Sequence, residues 1–135
     1  MKTATQTRDN EFITICKEII SRDHAAGRHP SLPNVIDEAI HRSPRCHYVS
    51  YERASRILHY IERNGTSILR SPLSAMKWIE IHNQVREAMH GPQALPFDKA
   101  LSYVLCFRRP TRFYIDHERA VRLLRPHITR TVTLG

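Results

Sequence analysis

Nine histidines, three cysteines and a large surplus of arginine are the side chains with which this chain could do chemistry. Metal binding needs ligands at a helical or loop spacing that lets them converge. His24, His29, His41, His47 and His59 include neither an HExxH motif nor an i, i+4 pair on a common face. Cys46 and His47 are adjacent and cannot both face one ion from a helix, and His82 falls on an apolar helical stripe, where a half-buried packing role is expected. Cys16, Cys46 and Cys106 are odd in number and lack a CxxC pair, so neither a disulfide framework nor a thiolate zinc site is expected. No metal and no cofactor are predicted.

Catalytic signatures are equally sparse. The four glycines form neither GxGxxG nor GxxxxGK[ST], and no serine sits in a GxSxG elbow. Cys106 lies inside an apolar helical run, where a thiol is expected to pack and not to react. The reading is of a non-enzyme with no catalytic residue to name.

Arginine remains, and its distribution carries the functional expectation. Of 21 basic residues 17 are Arg, whose planar fork bonds phosphate or carboxylate bidentately. The net charge of +8 is uneven: residues 1–40 sum to −1, 41–70 to +4, 71–98 to −1 and 99–135 to +6. The surplus therefore recurs along the chain.

So does the sequence around it. Residues 43–58 and 109–124 are identical at seven of sixteen positions: Pro44/Pro110, Tyr48/Tyr114, Glu52/Glu118, Arg53/Arg119, Ala54/Ala120, Arg56/Arg122 and Leu58/Leu124. The same 66-residue offset aligns Phe12 with Trp78, Ile15 with Ile81 and Ile19 with Val85, and each half carries a Leu-Pro, Leu32-Pro33 and Leu95-Pro96. An internal duplication is expected, with a first unit over residues 1–66 and a second over 67–135, sharing one compact domain.

Each unit reads as three helices. Phe12, Ile15, Cys16, Ile19 and Ile20 recur at helical period before Gly27, and Trp78, Ile81, His82, Val85 and Met89 do so between Ser71-Pro72 and Gly91-Pro92. The second helices start near Pro33 and Pro96; the latter, with Ala100, Leu101, Val104, Leu105 and Phe107, is expected to be the most buried. Ser50 and Asp116 are N-caps for the third helices, with Tyr48-Val49 and Tyr114-Ile115 packing as staples below them. Period-two alternation is confined to the short stretch from Ile128 to Leu134. The expected fold is all-α: a six-helix bundle of two tandem, duplicated, helix-turn-helix-like units.

A third helix packed through Ala54, Ile57 and Leu58 would present Arg56 outward with Arg53 on its flank; its counterpart would present Arg122 and Arg125, with Arg119 on the flank. Loop residues Arg45, Arg108, Arg109 and Arg112 would add phosphate contacts. The leading expectation is a regulatory nucleic-acid-binding protein, DNA favoured over RNA, engaging neighbouring half-sites through its two third helices. Two features oppose it. Glu52–Arg56 and Glu118–Arg122 have the favourable i, i+4 order for ion pairs that would occupy the arginines, and the linkers before the third helices exceed a three- or four-residue turn. The alternative is an adaptor or regulator whose arginines meet an acidic protein surface. Charged residues interrupt the amino-terminal stretch and no long apolar run follows, so a cytoplasmic, membrane-free monomer or homodimer is expected.

Overall fold

Side-chain oxygens open most of the helices. The computed structural model describes residues 2–128 and 132–134. Thr3 opens α1 (Ala4–Ala25) with a capping box: its hydroxyl accepts from the Gln6 N–H at 3.1 Å, and the Gln6 side chain accepts from the Thr3 N–H at 2.8 Å. Ser31 caps α2 (Leu32–Ile40), Ser50 caps α3 (Tyr51–Asn64), and Ser71 caps α4 (Pro72–His90), whose first residue is a proline that needs no hydrogen-bond acceptor there. Pro96 precedes α5 (Phe97–Phe107) without a side-chain cap, and Asp116 caps α6 (His117–Leu124). Gly27 and Gly65, past the ends of α1 and α3, both have φ +75°, a left-handed conformation that costs glycine little.

Among the described residues the fold is six α-helices with short 3₁₀ turns at Gly65–Ile68 and Arg125–His127, and no strand. The alternation read over Ile128 to Leu134 includes positions 129–131, which lie outside the described residues. Next to them Thr133 makes an isolated parallel bridge to Ser31. No helix among the described residues is long and apolar enough to cross a membrane.

The chain divides into two compact units, and they are not the expected halves 1–66 and 67–135. One comprises residues 1–44 and 111–135; the other is the uninterrupted segment 45–110. The first unit therefore contains α1, α2 and α6, and the second α3, α4 and α5, with each trio in mutual contact. Both boundaries fall immediately after a matched proline, Pro44 and Pro110. Consecutive second and third helices thus belong to different units, so a helix-turn-helix formed by chain neighbours describes neither of them.

The first unit is closed by Phe12, Cys16 and Ile19 of α1, Val35, Ile36 and Ala39 of α2, and Ala120 and Leu124 of α6. Phe113 and Ile115, ahead of α6, complete that core; Phe113 meets Phe12 edge to face at 5.4 Å and donates its backbone N–H to the Ile40 carbonyl at 2.9 Å. In the second unit Ala54, Leu58 and Ile61 of α3 pack with Trp78, Ile81 and Val85 of α4 and Ala100, Leu101 and Val104 of α5.

The expectation that α5 is the most buried helix is corrected: α2 buries five of its nine residues and α5 three of eleven. Ala100, Leu101 and Val104 are fully buried, but Tyr103, Cys106 and Phe107 are exposed, because the helix is covered on one side only. Cys106 is therefore a surface thiol and not a packed one, whereas Cys16 is buried and its thiol pKa is pushed up to about 12 by desolvation.

The unit composition makes fragments diagnostic. Residues 45–110 carry a complete three-helix core and are expected to unfold cooperatively on their own. Residues 1–66 lack both α6 and the partners of α3, and should give neither a cooperative melt nor stable amide protection. Circular dichroism melts and hydrogen exchange of the two peptides check this.

Candidate functional site

Burial of one stripe on α3 fixes what the rest of that helix shows. With Ala54, Leu58 and Ile61 inward, Arg53, Arg56, Tyr60 and Arg63 lie outward, and Tyr60 is 41% exposed. The Ser50 hydroxyl accepts the Arg53 N–H at 3.2 Å, and Glu52 in the first turn complements the helix dipole. Glu52 and Arg56 do not pair: among the described residues no ion pair involves Arg53, Arg56 or Arg63. His59 turns aside, its Nδ1 2.7 Å from the Ser55 carbonyl and its ring edge-on to Phe97 at 4.5 Å.

The arginines of α6 and of the 3₁₀ turn that follows it are of two kinds. Arg122 and Arg125 are exposed and, among the described residues, form no ion pair; the Glu118–Arg122 pair is likewise absent. Arg119 turns inward, its Nη2 2.7 Å from Oδ2 of the buried Asp9, whose other oxygen accepts from Arg8 at 2.9 Å. Its Nε is buried without a hydrogen-bond partner among the described residues. The residue 66 positions after Asp9 is Ala75, which carries no carboxylate.

Of the loop arginines, Arg108 pairs with Glu87 at 3.1 Å. Arg112 donates from Nε to the Phe113 carbonyl at 3.0 Å and lies 5.6 Å from the Tyr114 ring centroid. Arg45 and Arg109 are exposed. The nine arginines singled out in the sequence are therefore not equivalent: Arg53, Arg56, Arg122 and Arg125 stand outward on helices, while Arg108, Arg112 and Arg119 are held within their own units.

A buried polar link that the sequence did not signal lies in the second unit. His47, at the position matched by Phe113, is buried, with Nε2 2.6 Å from the Gln84 side-chain oxygen; the Gln84 amide donates to the Arg109 carbonyl at 3.0 Å. Desolvation pushes the His47 pKa below its ordinary 6.5, outweighing the opposite effect of the Gln84 bond. His82 is half-buried, with Nε2 2.5 Å from Oε1 of Glu62, and this bond holds the Glu62 carboxyl below its usual range. Among the described residues no three His, Cys, Asp or Glu side chains converge as a metal site.

The chain matches no protein-family model, no curated protein and no solved structure.

The depressed His47 pKa makes stability pH-dependent in a definite direction. The folded chain keeps His47 neutral where the unfolded chain takes up a proton, so the contribution is complete above about pH 6.5 and is lost as pH falls below it. Urea midpoints measured from pH 7 down towards the carboxylate range should fall, and His47→Gln should flatten that slope.

Proposed function

We propose that the chain binds nucleic acid through the outward arginines of α3, of α6 and of the 3₁₀ turn that follows α6. One observation carries this reading: Arg53 and Arg56, Arg122 and Arg125 remain exposed and without ion pairs among the described residues, although Glu52 and Glu118 stand one turn away in favourable order. Arg63 and the exposed Tyr60 extend the α3 row, and an aromatic interleaved with guanidinium groups suits a phosphate backbone with bases beside it. Arg108, Arg112 and Arg119 take structural parts in this reading, and Arg45 and Arg109 supplement the helical contacts. DNA is the favoured ligand.

We also infer that the chain is an internal duplication whose third helices are exchanged, each completing the unit begun by the other copy. The matched motifs 43–58 and 109–124, the unit boundaries after Pro44 and Pro110, and the burial of both His47 and Phe113 at corresponding positions support this.

An acidic protein surface would meet the same arginines through carboxylates. The two ligands are separated by titrating salt against binding of a labelled DNA duplex. Binding is expected at ~50 mM salt, with log affinity falling linearly in log salt. Arg56→Ala and Arg122→Ala should each reduce the slope by about 1. Absence of any DNA or RNA binding at that salt overturns the proposal and leaves the acidic partner.

A further inference from the structure

The most exposed large apolar side chain among the described residues is Phe107, at 75%, on the last turn of α5. Tyr103, one turn earlier and 41% exposed, lies beside it with ring centroids 5.6 Å apart and planes tilted by 38°. The i, i+4 spacing places both rings on one side of the helix, while Ala100, Leu101 and Val104 hold the other side in the core. Lys99 is exposed one turn before Tyr103, and Arg108 and Arg109 follow Phe107 directly, so cations stand at both ends of the pair. Asp98 and Glu87 are the neighbouring acids, and Glu87 is taken up by Arg108 at 3.1 Å.

A second observation adjoins the first. Tyr103 also forms one wall of a pocket of about 310 Å³, which Leu95 lines with an apolar surface and Glu87, Gln93 and Arg108 with polar groups. An apolar wall, an aromatic face and a few polar groups of both donor and acceptor character are what a planar heterocycle with a hydrogen-bonding edge requires. The Gln93 side-chain amide in its lining is both donor and acceptor, and can meet the acceptors and amino donors of a base edge.

We propose that Tyr103 and Phe107 form a stacking platform for unpaired bases of a single strand, with the pocket beside Tyr103 receiving the edge of one base. The size of the patch favours this occupant. Two partly exposed rings fall far short of the ~800 Å² per partner that a stable protein interface buries, whereas a base needs only a ring face, and its phosphates find Lys99 before the pair and Arg109 after it. The site rests on the nucleic-acid binding proposed above and adds to it the class of strand.

The experiment compares a fluorescein-labelled short oligo(dT) with the same sequence in a duplex, by anisotropy at ~50 mM salt. The full chain should bind the single strand more tightly than the duplex. Phe107→Ala and Tyr103→Ala should each weaken single-strand binding roughly 5- to 100-fold, leave the salt slope unchanged because no charge is lost, and leave duplex binding within about twofold. Phe107→Trp should retain the affinity. Both alanine variants replace exposed rings and should keep the parent melting curve. Unchanged oligo(dT) affinity in both overturns the platform while the arginine reading stands if duplex binding and its salt slope persist. Loss of all nucleic-acid binding in the parent chain overturns both. A change in sedimentation of Phe107→Ala with no change in oligo(dT) affinity overturns the platform in favour of contact between copies.

Discussion

Everything the surface of α3 and α6 presents follows from the narrowness of their apolar stripes. Ala54, Leu58 and Ile61 on one helix, and Ala120 and Leu124 on the other, are the only buried residues each contributes. A leucine side chain taken from water stabilises by about 1.5–3 kcal/mol, more than a surface ion pair of about 0–1 kcal/mol can offset. The stripe therefore decides the rotation of the helix, and the charged residues take whatever side is left. In both helices that side holds arginine.

The same logic distinguishes arginines that look alike in the chain. Arg53 and Arg119 occupy matched places beside a buried alanine, yet only Arg119 has a buried carboxylate within reach, supplied by Asp9. Asp9 in turn needs both Arg8 and Arg119, since a carboxylate so far out of water is costly unless it is hydrogen-bonded. One arginine thus serves the core and its counterpart remains at the surface.

Local features were legible in the sequence. Ser50, Ser71 and Asp116 announce helix starts by type, Gly27 and Gly65 announce ends, and the spacing of Phe12, Cys16 and Ile19 or of Trp78, Ile81 and Val85 announces the inward faces. Thr3 and Gln6 carried a capping-box signal that could have placed the start of α1 eight residues before Phe12. What periodicity leaves open is the partner of each stripe. Ala54-Leu58 and Ala120-Leu124 are the same residues at the same spacing, so each could pack against either pair of first and second helices, and nothing local marks the choice. His47 was hidden for a related reason: its burial depends on Gln84, far along the chain. The exposure of Cys106 and Phe107 was missed because an apolar run reveals how much could be buried and not how much neighbouring surface exists to cover it.

Chain order gives the division at Pro44 and Pro110 a consequence for biosynthesis. The middle segment holds all of its own partners and can assemble as soon as it leaves the ribosome. Its flanking unit cannot: Phe12, Cys16 and Ile36 stay without Phe113 and Leu124 until the segment that follows Pro110 has been made. Until then the apolar faces of α1 and α2 have no third helix to cover them, and a surface of that kind is most prone to aggregation at this stage.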